Sequence, residues 1–85
     1  MNIDNLITMA NQIGAFYETM PDRAHALQDI ADHLRKFWEP RMRRALLTHL
    51  DQPPADRADH VPLSPIVTET LHLHRVRLAE STGLA

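Results

Sequence analysis

Three of the six prolines in the chain, Pro21, Pro40 and Pro65, stand at the mouths of runs of apolar residues spaced three and four apart. Proline disfavours helical geometry in the residue before it, yet its fixed φ suits the first turn of a new helix. Inside a helix it would remove a backbone donor and clash with the preceding turn. A chain cut in this way folds as several short helices joined at corners.

The first run opens at Asp4, a suitable N-cap, and continues through Leu6, Met9, Ala10, Ile13, Phe16, Tyr17 and Met20. A second helix is predicted from about Asp22, with Leu27, Ile30, Ala31, Leu34, Phe37 and Trp38 along one face, ending at Glu39-Pro40. A third, shorter segment runs from Pro40 to Leu50, with Met42, Ala45, Leu46 and Leu50 on one side and Arg41 and Arg44 on the other. Leu47 falls off that stripe and reads either as a scattered surface apolar residue or as a contact to another protein. Residues 51–62 turn to proline and alternating charges without apolar periodicity, the composition of a linker. Ser64-Pro65 then opens a last segment with Val67, Leu71, His74 and Leu78 at helical spacing. Its Leu71-His72-Leu73-His74 stretch also alternates like a strand, but no second strand pattern exists to pair with it. The expectation is an all-α chain: a three-helix domain over 1–50, a linker over 51–62, a C-terminal helix within 63–80 packed on the domain or on a partner, and a frayed tail over 81–85.

Composition narrows the function. A chain of 85 residues makes one domain and buries somewhat over ~60% of the surface of its unfolded form, so its own core is marginal and a partner would help cover it. It has no Cys, which excludes thiolate-held iron–sulfur clusters, Cys-containing zinc sites, disulfides and a thiol nucleophile. Gly14 and Gly83 are the only glycines, so neither a G-x-G-x-x-G turn nor a Walker-type phosphate loop can be written. No basic n-region precedes an apolar stretch and no run reaches the ~20 apolar residues of a membrane span. The expected setting is the cytoplasm, with neither membrane nor nucleic acid as partner.

His25, Asp29 and His33 recur every four residues and would line one face of the second helix. Such a set offers zinc ligands, but it lies opposite the apolar stripe, where a solvated polar face has the same spacing. His72 and His74, two apart, do not face each other on a helix. No hydroxyl sits in a nucleophile motif, and a helical chain this small has little room for a substrate pocket. The chain therefore reads as non-enzymatic, with no metal or cofactor of its own. The basic stretch is more informative: over 32–44, Arg35, Lys36, Arg41, Arg43 and Arg44 outnumber Asp32 and Glu39 and interleave with Phe37 and Trp38. Three readings stay open: phosphate contact with base stacking, a protein-binding surface anchored by Trp and Arg, or core aromatics beside solvated charges.

The run Met9-Ala10-Asn11-Gln12-Ile13-Gly14 with Phe16, the run from Ile30 to Trp38, Pro40-Arg41-Met42-Arg43, His49-Leu50 and Leu63-Ser64-Pro65 together resemble the delta subunit of soluble NAD-dependent formate dehydrogenase. The resemblance covers roughly residues 3–71. It implies a small accessory subunit of a molybdenum- or tungsten-containing enzyme whose larger subunits hold the pterin cofactor, iron–sulfur clusters and FMN. The implied role is to stabilise or assemble that complex, by binding the large catalytic subunit; a dissociable assembly or cofactor-insertion factor is the alternative, and a small nucleic-acid-binding module a more distant one. By the same analogy the positions that matter are Asn11, Gln12, Arg35, Lys36, Phe37, Trp38, Pro40, Arg41, Met42 and Arg43, and all of these but Met42 are taken as partner-binding. Arg44 and Leu47 join them from the sequence pattern.

Physical chemistry divides these positions further. Leu34 and Met42 lie on their stripes and belong to the core, whereas Arg35, Arg41 and Arg43 lie off them and are the better contact candidates. Trp38 is placed to seal the corner between the second and third helices. Gly14 costs ~1 kcal/mol in a helix relative to Ala, and fits either the close approach of another helix or partner or a tolerated surface position.

Overall fold

The computed structural model of the chain describes residues 2–52 and 61–80. Helix α1 (Ile3–Tyr17) is capped by Asn2, whose side-chain oxygen accepts the Asp4 amide at 2.8 Å. Asp4, the expected cap, is already inside the helix, where its charge favours the positive end of the helix dipole. Asp22 caps α2 (Arg23–Phe37) by accepting the His25 amide at 3.2 Å, as the proline punctuation predicts. Trp38 ends α2 in extended backbone, and Pro40 takes the first position of α3 (Pro40–Asp51).

Residues 53–60, most of the predicted linker, and the predicted tail over 81–85 lie outside the described residues. Ser64 and Pro65 open α4 (Pro65–Leu73), and His74, at φ −106° and ψ 24°, separates it from a short α5 (Arg75–Ala79). The one C-terminal helix of the sequence reading is thus two. His74 still donates its amide to Thr70 at 2.9 Å and accepts that of Leu78 at 3.1 Å, so the break leaves neither of its own backbone groups unpaired. Among the described residues there is no strand, and the alternating Leu71-His72-Leu73 stretch is helical.

Helix α2 touches all four other helices. It buries Ala26, Leu27, Ile30, Ala31 and Leu34, and Trp38 closes the corner beyond it at 7% exposure. From α4 and α5, Ile66, Val67, Leu71 and Leu78 enter the same core with at most 1% exposure. Each such aliphatic side chain is worth ~1.5–3 kcal/mol when fully buried, so the C-terminal helices are part of what holds this small core. Gly14 is where α4 comes closest: a Cβ there would lie 2.9 Å from Cγ2 of both Ile66 and Val67. Of the two roles open to Gly14, the fold uses close helix approach.

Two of the predicted faces are corrected. Helix α1 buries Leu6, Ile7, Ala10 and Gly14, a face turned roughly a quarter turn from the expected stripe at 3.6 residues per turn. Met9 and Phe16 consequently point outward, Phe16 at 74% exposure, while Ile13, Tyr17 and Met20 pack partly against the core. On α3 the buried positions are Arg43, Leu46 and Leu47, with Leu50 packed beside them. Leu47 is therefore a core residue and not a surface one, and Met42 and Ala45 lie at the margin of the core. Phe37 is also corrected. It is the last residue of α2, at the edge of its stripe, and is exposed.

Candidate partner-binding surface

The basic stretch is split by the fold into an inner and an outer set. Arg43 is buried at 2% exposure; Nη1 donates to the Arg35 carbonyl and Nη2 to the Glu80 carbonyl, both at 3.0 Å. These acceptors lie at the C-terminal ends of α2 and α5, where helix carbonyls lack intrahelical donors. Burial pushes the Arg43 guanidinium below its ordinary pKa, with Arg35 and Arg44 adding to the shift and Glu80 opposing it. Arg35, half-buried, donates to the Arg77 carbonyl and to the Glu80 carboxylate. Of the three arginines picked out as contact candidates, Arg41 is exposed, while Arg35 and Arg43 face inward onto α5. Their off-stripe positions look like surface only while α5 is left out of account.

Asn11 is a second inward residue. Its Nδ2 donates to the Pro62 carbonyl and its Oδ1 accepts the Ser64 amide, each at 2.9 Å. One side chain thus holds both sides of the approach to α4. Trp38 is buried as well. Pro40 is half-buried at the start of α3, where its role is local.

The outer set comprises Gln12, Lys36, Phe37, Arg41 and Arg44, all exposed. Arg41 pairs with Glu39 through Nε at 3.1 Å. Lys36 lies 6.0 Å above the Phe37 ring, and the ring of His33 is 4.8 Å from that of Phe37. Tyr17, Asp29, Asp32, His33, Lys36 and Phe37 line an open groove along the outer face of α2. Phe16 extends this strip, meeting Tyr17 edge-on at 5.0 Å. Phe16, Tyr17 and His33 were not among the sequence-derived contact candidates. The signal that could have found them is Gly14, whose place in the buried face turns Phe16 outward.

His25 and Asp29 approach to 3.4 Å, while His33 packs on Phe37, so this expected one-face set is shared between an ion pair and a ring contact. Among the described residues no group of three or more His, Cys, Asp or Glu is arranged to hold a metal, and no helix is long and apolar enough to cross a membrane. Among the described residues the basic stretch does not form one continuous outward face, because Arg43 is buried and Arg35 and Arg41 are paired with carboxylates.

The family model of the NADH-dependent formate dehydrogenase delta subunit FdsD matches residues 5–71. No curated protein and no solved structure matches the chain significantly. The matched span takes in nearly all of α1, the whole of α2 and α3 and most of α4, and it stops before α5.

Proposed function

The chain belongs to the NADH-dependent formate dehydrogenase delta subunit family, and from that membership we propose an accessory subunit that has no catalytic residues of its own. It stabilises or helps to assemble the enzyme, in the cytoplasm, by binding the large catalytic subunit. The observation that carries this reading is the family match over α1 to α4. The absence of Cys from the sequence agrees with it, since the chain cannot extend an electron path through thiolate-held clusters. The groove between Asp32, Arg35, Lys36 and Arg77, where Asp32 is already bound to Arg77, and that along the outer face of α2 are open to the surface. They suit contact with a surface better than enclosure of a small substrate.

The test is purification of the enzyme with and without this chain. Recovery of the chain in fixed stoichiometry with the larger subunits, and loss of complex stability on its deletion, supports the reading. Full assembly and activity without the chain overturns it. Deletion that lowers the molybdenum or tungsten content, with the chain missing from the mature enzyme, replaces it with the dissociable assembly factor.

A further inference from the structure

Both phenylalanines of the sequence lie on the surface, Phe16 at 74% and Phe37 at 69% exposure. An aromatic side chain buries ~150–250 Å² when covered, so a fold with a marginal core leaves a large apolar area unused at these two positions. They are parts of one strip. Phe16 stacks edge-on against Tyr17, Tyr17 lines the groove along α2, and His33 and Phe37 line it further on. On α1, Met9 and Gln12 are also exposed and share the face of Phe16 by helical spacing.

The charges along the groove are unequal. Asp29 has His25 beside it and Asp32 has Arg77. Among the described residues Lys36 has only the Phe37 ring, and no carboxylate pairs with it. An unpaired cation held beside an exposed aromatic ring is suited to a carboxylate supplied from outside.

We infer that the strip formed by Phe16, Tyr17, His33, Phe37 and Lys36 docks on another subunit of the enzyme, one that offers apolar sockets to the two phenylalanines and a carboxylate to Lys36. This rests on the accessory role proposed above and assigns its surface. A second copy of the chain is a poor occupant. The carboxylates on its own strip, Asp29 and Asp32, already have His25 and Arg77 as partners, so a second copy offers Lys36 no free carboxylate. The strip also turns the corner from α2 onto α1 at the Phe16–Tyr17 contact. A larger subunit can cover both faces at once.

The experiment titrates the full chain against the purified catalytic assembly prepared without it. The double variant Phe16→Ser with Phe37→Ser should bind at least tenfold more weakly, and Lys36→Glu several-fold more weakly. Val76→Ser, at an 80% exposed apolar position on α5, should bind like wild type. Helix content and melting temperature should be unchanged throughout; should the double variant fail to fold, Phe37→Ala alone reads the same surface. If the folded double variant binds as tightly as wild type, or Val76→Ser weakens binding equally, the surface assignment falls while the accessory role stands. If Lys36→Glu has no effect, the carboxylate is removed from the partner's description. Failure of the wild-type chain to bind the assembly overturns both role and surface. A wild-type dimer in sedimentation that the double variant abolishes makes a second copy the occupant and overturns the inference.

Discussion

Arg43 and Glu80 are 37 residues apart in the chain, yet the Arg43 guanidinium donates to the Glu80 carbonyl at 3.0 Å. The same side chain reaches the Arg35 carbonyl, so one cation closes the C-terminal ends of two helices. Arg35 adds bonds to the Arg77 carbonyl and the Glu80 carboxylate, and Arg77 returns one to Asp32 on α2. Ion pairs exposed in this way contribute ~0–1 kcal/mol each, so the buried Arg43 bonds outweigh them in fastening α5. The basic motif of the sequence is in large part an internal fastening.

Arg43→Ala should destabilise the chain by about 3 kcal/mol, since it removes two charge-assisted bonds and leaves helix-end carbonyls without donors. Arg43→Lys should recover only part of this, because one ammonium cannot span two carbonyls as a guanidinium does. Urea unfolding followed by circular dichroism measures both. A loss below about 1 kcal/mol for the alanine variant would show that Leu78 packing and the Arg35 and Arg77 bonds hold α5 without Arg43.

Gly14→Ala sets helix propensity against packing. Alanine gains ~1 kcal/mol over glycine in a helix interior. Its Cβ, however, would meet Ile66 and Val67 Cγ2 at 2.9 Å, and both side chains are fully buried and stiff at χ1. Overpacking typically costs 1–3 kcal/mol, so the net change should be a loss of about 1 kcal/mol, and Gly14→Val should lose more. A higher melting temperature for Gly14→Ala would contradict the close approach of α4.

Asn11→Ala removes the donor to Pro62 and the acceptor for Ser64 together. A loss of about 1–2 kcal/mol is expected, with faster amide exchange at Ser64 in NMR. Gln12→Ala, exposed one residue further on, should change stability by less than about 0.5 kcal/mol. Equal effects at the two positions would remove Asn11 from its place at the mouth of α4.

The corners were legible because proline acts locally. Pro21, Pro40 and Pro65 mark helix starts to within two residues, and Asp22 and Ser64 stand at the caps. The faces were less legible because burial depends on what covers a helix. On α3 the buried Arg43, Leu46 and Leu47, with the partly buried Leu50, have ideal helical spacing, but a charged residue in the first position hides it. Arg43 can be buried because its bonds are supplied by helix ends, one of them on α5, at a sequence distance no local pattern reports. On α1, Gly14 carries no hydrophobic signal, yet it marks the buried face through the neighbour it admits. The docking strip was half legible: Lys36 and Phe37 stood out in the motif, whereas Phe16 and Tyr17 counted as core until that face was turned.

His74 gives the fold a pH dependence whose sign is fixed by its surroundings. It is half-buried at the break between α4 and α5, and its buried Nε2 has no hydrogen-bond partner. Burial holds its pKa below the ordinary 6.5, Arg77 on α5 adds to this, and Asp32 on α2 opposes it. As pH falls, the unfolded chain takes up this proton first, so stability is complete above the ordinary value and declines as pH drops through it towards the folded value. Melting temperature should therefore fall as pH drops below about 6.5, above the range where carboxylates titrate. His74→Asn should flatten that slope. Equal slopes for wild type and His74→Asn would show that the α4–α5 junction accepts the charged imidazole.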